Sequence, residues 1–190
     1  DAASEILGHF RADPGSIWYL AETHAQANTL TRWVREHLHG KTSLNSVEVG
    51  DLLEIYVSPP DVCDESGFRV SMQSGRRISI ASVGKRTLYQ QGLSWVKSGP
   101  IKFHSIRCGI HSRDEVELEV FEEFLKAEKP ELDKETAVAE SVWRNAIKRD
   151  REKAFDGKQA ALQGMEGRSP PPPAPDFTYA RYGYASTVHH

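Results

Sequence analysis

Residues 67 to 113 contain no Asp or Glu and nine Lys or Arg: Arg69, Arg76, Arg77, Lys85, Arg86, Lys97, Lys102, Arg107 and Arg113. The other 143 positions hold 15 basic and 27 acidic residues, so the formal net charge of -3 conceals a segment at +9 and a remainder at -12. Fixed positive charge interleaved with Phe68, Tyr89, Trp95 and Phe103 suits a polyanion, which charge attracts and aromatic faces stack upon. The expectation is a nucleic-acid-binding segment with Arg69, Arg76, Arg77, Lys85, Arg86, Lys97 and Lys102 as its contacts. A solvated sheet with a basic outer face is the simpler alternative.

Other chemistries find less support. Cys63 and Cys108 are too few for a disulfide framework and form no Cys-x-x-Cys motif, so free thiols in a reducing compartment are expected. His104 and His111 flank Cys108 without the clustered spacing of a zinc site. Gly84-Lys85 lacks the preceding glycine and the Ser or Thr of a phosphate loop, and no nucleophile elbow is present. No run approaches the roughly 18 to 20 apolar residues of a membrane span, and no signal peptide is visible. An intracellular protein of cytoplasm, nucleoid or nucleus is expected, with no membrane partner.

These residues need elements to position them. Residues 5–10 and 16–21 are short apolar runs around Asp13-Pro14-Gly15, which reads as a β-hairpin. Thr23-x-x-Gln26 opens a helix over about 24–39, with Leu30, Val34 and Leu38 on one stripe and Gly40 as its stop. Residues 52–58 read as a strand, and 67–108 as short strands punctuated by turns. Ser112-x-x-Glu115 resembles a second capping box before a helix with Val116, Val120 and Phe124 on one stripe, ended by Pro130. Residues 133–163 read as a densely charged helix anchored by Trp143. The proline run at 170–175 and the aromatic residues after it read as a tail, ordered only along a partner.

The order of these segments resembles the GIY-YIG nuclease superfamily. Gly8-His9-Phe10 stands where that family has its first strand motif, and Tyr19-Leu20-Ala21-Glu22-Thr23 where it has its second. Thr29-Leu30-Thr31-Arg32-Trp33-Val34-Arg35-Glu36-His37, then Gly40-Lys41, is similar to the helix that follows in the family. Glu117-Leu118-Glu119 through Lys129-Pro130-Glu131-Leu132-Asp133 is similar to its later glutamate helix. The chain departs from the pattern at Phe10 in place of the first tyrosine, at Trp33 in place of the arginine, at Phe121 in place of the glutamate, and at Asp133 in place of the terminal asparagine.

The resemblance implies metal-assisted phosphodiester hydrolysis. Tyr19 or His37 would relay a proton, Arg32 or Arg35 would pair with phosphoryl oxygens, and Glu119 or Glu122 would hold one Mg²⁺ or Mn²⁺. The fold expected is α+β: a small, mostly antiparallel sheet flanked by helices, with a long charged C-terminal helix and a Pro-rich tail. Its parts are a GIY-YIG-like domain at 1–132 with a basic β-rich insertion at about 42–100, the charged helix at 133–167, and the tail at 168–190. The function expected is a DNA endonuclease of restriction or repair type, with RNA as the other substrate. The alternative is a catalytically degenerate module that binds nucleic acid or a protein, the latter through the C-terminal helix and tail.

Overall fold

Apolar residues at every second position dominate the structure. The computed structural model describes residues 2–13, 17–57, 62–63, 69–70, 72–89, 100–111, 114–161 and 177–187. In chain order its elements are α1 (Ala2–Ala12), β1 (Tyr19–Ala21), α2 (His24–His39), β2 (Leu52–Val57), β3 (Val62–Cys63), β4 (Arg69–Val70), β5 (Arg77–Tyr89), β6 (Ile101–His111), β7 (Asp114–Phe121), α3 (Glu122–Lys126), α4 (Lys134–Ala161), β8 (Phe177–Tyr182) and β9 (Ala185–Thr187). Strands β2, β5, β6, β7 and β8 close into a barrel in that order. Every pairing is antiparallel except β7 with β8, which is parallel. A parallel pair requires a crossover, and α3 and α4 lie within it.

Leu53 and Ile55 of β2, Ile78 and Ile80 of β5, Ile106 and Cys108 of β6, Val116, Leu118 and Val120 of β7, and Ala180 of β8 fill one buried cluster. Burial of these side chains removes apolar surface from water and drives closure. The outer face is covered in two places. Phe103 and Phe121 are directly opposed across β6 and β7, and Trp143 of α4 stacks on Phe103 with centroids 4.8 Å apart. On another flank Leu52 packs with Phe10 of α1, Val34 of α2 and Tyr184. Strand β1 pairs in parallel with β9, Tyr19 opposite Ala185.

The helix at 24–39, the strand at 52–57 and the charged helix from 134 lie where the sequence puts them. The α+β arrangement of a mostly antiparallel sheet flanked by helices is corrected: the architecture is a closed, mixed five-stranded barrel. Residues 5–10 belong to α1, not to a hairpin strand. Ile6 and Phe10 turn toward α2 at helical spacing. Residues 114–121 form a strand, and only 122–126 are helical. The segment expected as an insertion supplies β2 and β5 of the barrel itself. Residues 177–187, expected as tail, supply β8 and β9. Among the described residues no helix is long and apolar enough to cross a membrane.

Candidate functional site

Helix α2 is fixed at both ends. Thr23 accepts from the Gln26 backbone N–H at 3.2 Å, and the Gln26 side chain accepts from the Thr23 backbone N–H at 3.1 Å, which completes the capping box. Gly40 ends the helix at φ +62°, the left-handed region where a glycine carries no Cβ penalty. Arg35, buried on its inner side, donates from Nε and Nη2 to both carboxylate oxygens of Asp51 at 2.8 and 2.6 Å. Asp51 is fully buried and also accepts from Tyr184 at 3.1 Å and from the Glu48 backbone N–H at 2.8 Å. Buried charge requires this degree of pairing. The network locks α2 against the start of β2 and turns Arg32, one helical turn away, outward.

The opposite wall comes from a distortion in β5. Its register with β6 shifts between Val83 and Arg86, and Gly84 lies at that bulge. A Cβ on Gly84 would stand 3.1 Å from the Ser105 hydroxyl and 3.2 Å from its carbonyl oxygen, so any side chain there would push the two strands slightly apart. Beyond the bulge Arg86 reaches α3. Glu122, the first residue of α3, is 2% exposed. Its carboxylate accepts from Arg86 Nε and Nη2 at 2.8 and 3.0 Å, from Lys126 Nζ at 2.5 Å, and is bonded to His104 Nε2 at 2.9 Å. Burial alone would raise the Glu122 pKa; the hydrogen bonds from Arg86 and Lys126 outweigh it and hold the carboxyl far below its usual range. Burial lowers the His104 pKa despite the adjacent carboxylate. Since the carboxylate can only accept, His104 Nε2 carries the hydrogen. Its Nδ1 is buried with no hydrogen-bond partner, so an added proton there would lack an acceptor.

Between these walls lies a cleft of about 890 Å³, lined by Arg32 and Arg35 of α2, Asn45 and Ser46 of the following loop, Gly84 and Arg86 of β5, His104 of β6, and Glu122 and Lys126 of α3. Arg32 is exposed, and no ion pair to it is formed among the described residues. Tyr182 also lines the cleft, but the Arg35 guanidinium covers its ring at 3.9 Å. The arrangement offers cations and amide and hydroxyl groups alongside the rings of Tyr182 and the buried His104.

Of the expected catalytic set, Arg32, Arg35 and Glu122 share this cleft. Tyr19 does not line it; it packs against Phe10 at 5.5 Å and meets His9 Nδ1 at 3.4 Å. His37 lies exposed on α2, bonded to the Trp33 carbonyl at 2.7 Å. Glu119 and Glu122 occupy no common helical face. Glu119 is on β7 and lines a separate recess with Lys85, Arg107 and Glu117. A Mg²⁺ or Mn²⁺ does not fit Glu122: three cationic or donor side chains already occupy its oxygens, and a metal would have to displace them. No group of three or more metal-ligating His, Cys, Asp or Glu side chains gathers among the described residues.

The basic segment is dispersed by folding. Arg86 pairs with Glu122 and Lys102 with Glu123, the latter at 3.9 Å. Arg77 donates to the Ile17 carbonyl at 2.5 Å and lies over the Trp18 ring at 4.4 Å. Arg76 is half-buried and Lys85 exposed. Arg107 stands directly opposite Glu117. Arg69 is on β4, its side chain outside the described set, and Lys97 falls outside the described residues altogether. Asp51 and Lys126 escaped the sequence reading, and His104 entered it only as a flank of Cys108. Lys126 is four residues after Glu122, an ordinary helical ion-pair spacing that both the expected helix and α3 contain. No protein-family model matches the chain, and no curated protein matches it.

Proposed function

We propose that the chain binds nucleic acid through phosphate groups at this cleft, as a binding module in which the cleft does no metal-dependent cutting. The observation that carries the reading is the convergence of Arg32, Arg86 and Lys126, from three elements distant in sequence, on one polar cleft. Phosphate oxygens take charge-assisted hydrogen bonds from such groups, and Arg offers them a planar fork. The separation of Tyr19, His37 and Glu119 from Glu122, together with the saturation of the Glu122 carboxylate, favours binding over hydrolysis.

The test is a salt titration of affinity for a labelled DNA duplex and a labelled single strand. Arg32→Ala and Lys126→Ala should each weaken binding and flatten the log–log salt slope by roughly 0.9 for duplex or 0.7 for single strand. Lys85→Ala, outside the cleft, should change little. Equal slopes in all three variants would dismiss the cleft as the contact. Nicking of supercoiled plasmid in Mg²⁺ or Mn²⁺ would restore the endonuclease reading.

A further inference from the structure

We infer that the cleft is a receptor for a phosphate monoester, the terminal phosphate of a strand or of a small phosphorylated molecule, in preference to an internal phosphodiester. The inference rests on the phosphate-binding reading of the same site and narrows its ligand class.

Charge is the first argument. Arg32, Arg86 and Lys126 face one buried carboxylate, Glu122, a surplus of two positive charges. Arg35 does not add to it, because Asp51 neutralises it at 2.6 Å. Glu128 also lines the cleft, exposed as Arg32, Arg86 and Lys126 are, and reduces the surplus to one. A monoester carries about -1.5 to -2 at neutral pH, whereas a diester carries a single charge. A positive surplus attracts the dianion about twice as strongly as the single charge of a diester.

Geometry is the second. A cleft of about 890 Å³ falls within the size of sites that enclose a small ligand, roughly 300 to 1,000 Å³. Glu122 holds Arg86 through Nε and Nη2 only, which leaves the Nη1 edge for a ligand oxygen. The Lys126 ammonium gives one of its three donors to Glu122. The buried carboxylate therefore acts as a positioning residue: it fixes two cations in the wall while leaving donors open. Among the described residues, the Tyr182 ring at the cleft is covered on one face by Arg35 and the His104 ring is buried, so a base finds little of the open stacking platform that strand-binding grooves supply. The phosphate, not the base, is what this surface can read.

The experiment compares the whole chain's affinity for one oligonucleotide carrying either a 5′-phosphate or a 5′-hydroxyl, with inorganic phosphate as competitor. The 5′-phosphate should bind at least about tenfold more tightly, the effect of one strong charge-assisted contact. Arg32→Ala, at an exposed position that folding does not need, should abolish that difference, and Lys126→Gln should reduce it. Inorganic phosphate should compete with the phosphorylated strand. Equal affinity for the two ends, with salt dependence retained, would overturn the monoester inference and leave nucleic-acid binding standing. If inorganic phosphate raises the melting temperature in an Arg32-dependent way while neither strand binds, the monoester inference is upheld with a free phosphorylated molecule as the source, and nucleic-acid binding falls. No response to phosphate or to either strand would overturn both.

Discussion

Asp51 is where the molecule commits most charge to its interior. It is fully buried and holds Arg35 and Tyr184, with His39 Nε2 at 3.0 Å from the same carboxylate. Asp51→Ala would leave the Arg35 guanidinium buried without its partner. The expected loss is about 3–5 kcal/mol, the range for breaking a buried pair from one side. Chemical denaturation of the variant measures it, and a loss under about 1 kcal/mol would show that water reaches Arg35. The Glu122 cluster makes a different prediction, one of pH. His104 has a lowered pKa in the folded state, so its contribution is complete above the ordinary value of 6.5 and is lost as pH falls through the folded value. Glu122 also has a lowered folded pKa, so its contribution is complete above 4.5 and disappears in stronger acid. Both signs agree: acidification destabilises. The melting temperature should begin to fall below about pH 6.5 and fall further below about pH 4.5, and His104→Gln should remove the first part of that decline. A flat profile from pH 7 to 5 in the unmodified protein would refute the assignment to His104.

At the scale of elements, α2 bears the clearest signature and an accessible test. Thr23→Ala removes the hydroxyl that accepts from the Gln26 backbone N–H at the N-terminus of the helix that carries Arg32 and Arg35, and should cost about 1 kcal/mol. Thr23→Asn, which keeps an acceptor, should recover most of it in the same thermal melts; an equal loss would assign the effect to packing instead. This helix was legible because cap, stripe and stop all agreed. The segment 114–126 was not, for a geometric reason. Val116, Leu118 and Val120 alternate as a strand requires, while Val116, Val120 and Phe124 repeat every fourth residue as a helix permits. A period of two contains a period of four, so the pattern alone cannot separate them; the β-branched valines were the better guide. Residues 5–10 posed the inverse ambiguity, an apolar run too short to show its period. Strand β8 was hidden by small residues: Thr178 and Ala180 are its fully buried positions, and neither marks alternation in a hydrophobicity pattern. The cleft was legible only in part. Arg32, Arg35 and Glu122 were singled out on a resemblance and Lys126 lies one helical turn from Glu122, whereas His104 and Arg86 come together through strand pairing that no local pattern encodes.

Across the whole molecule, the bipolar charge of the sequence becomes internal complementarity. The acid-free strand β6 lies beside β7, whose outward positions are Glu115, Glu117 and Glu119, and the acid-free β5 sets Arg77 opposite Glu54 of β2. Opposite charges facing across a ladder stabilise it modestly, so among the described residues Arg77, Arg86, Lys102 and Arg107 of this segment each face a carboxylate within the fold. Closure itself depends on the far end of the chain. Strand β8 pairs with β2 on one side and β7 on the other, Tyr184 is fully buried and donates to Asp51, and the Tyr184 hydroxyl accepts from the Leu52 backbone N–H at 3.1 Å. Removing everything after Gly167 would leave two unpaired barrel edges, open the core at Ala180, and take one donor from Asp51. Unpaired edges with apolar faces aggregate. The truncated chain should therefore lose its cooperative thermal transition, as followed by circular dichroism, and sediment as aggregate, although the sequence read alone makes this segment a dispensable tail. A soluble truncated chain that melts within a few degrees of the full-length protein would mean that β2 and β7 close the barrel without β8.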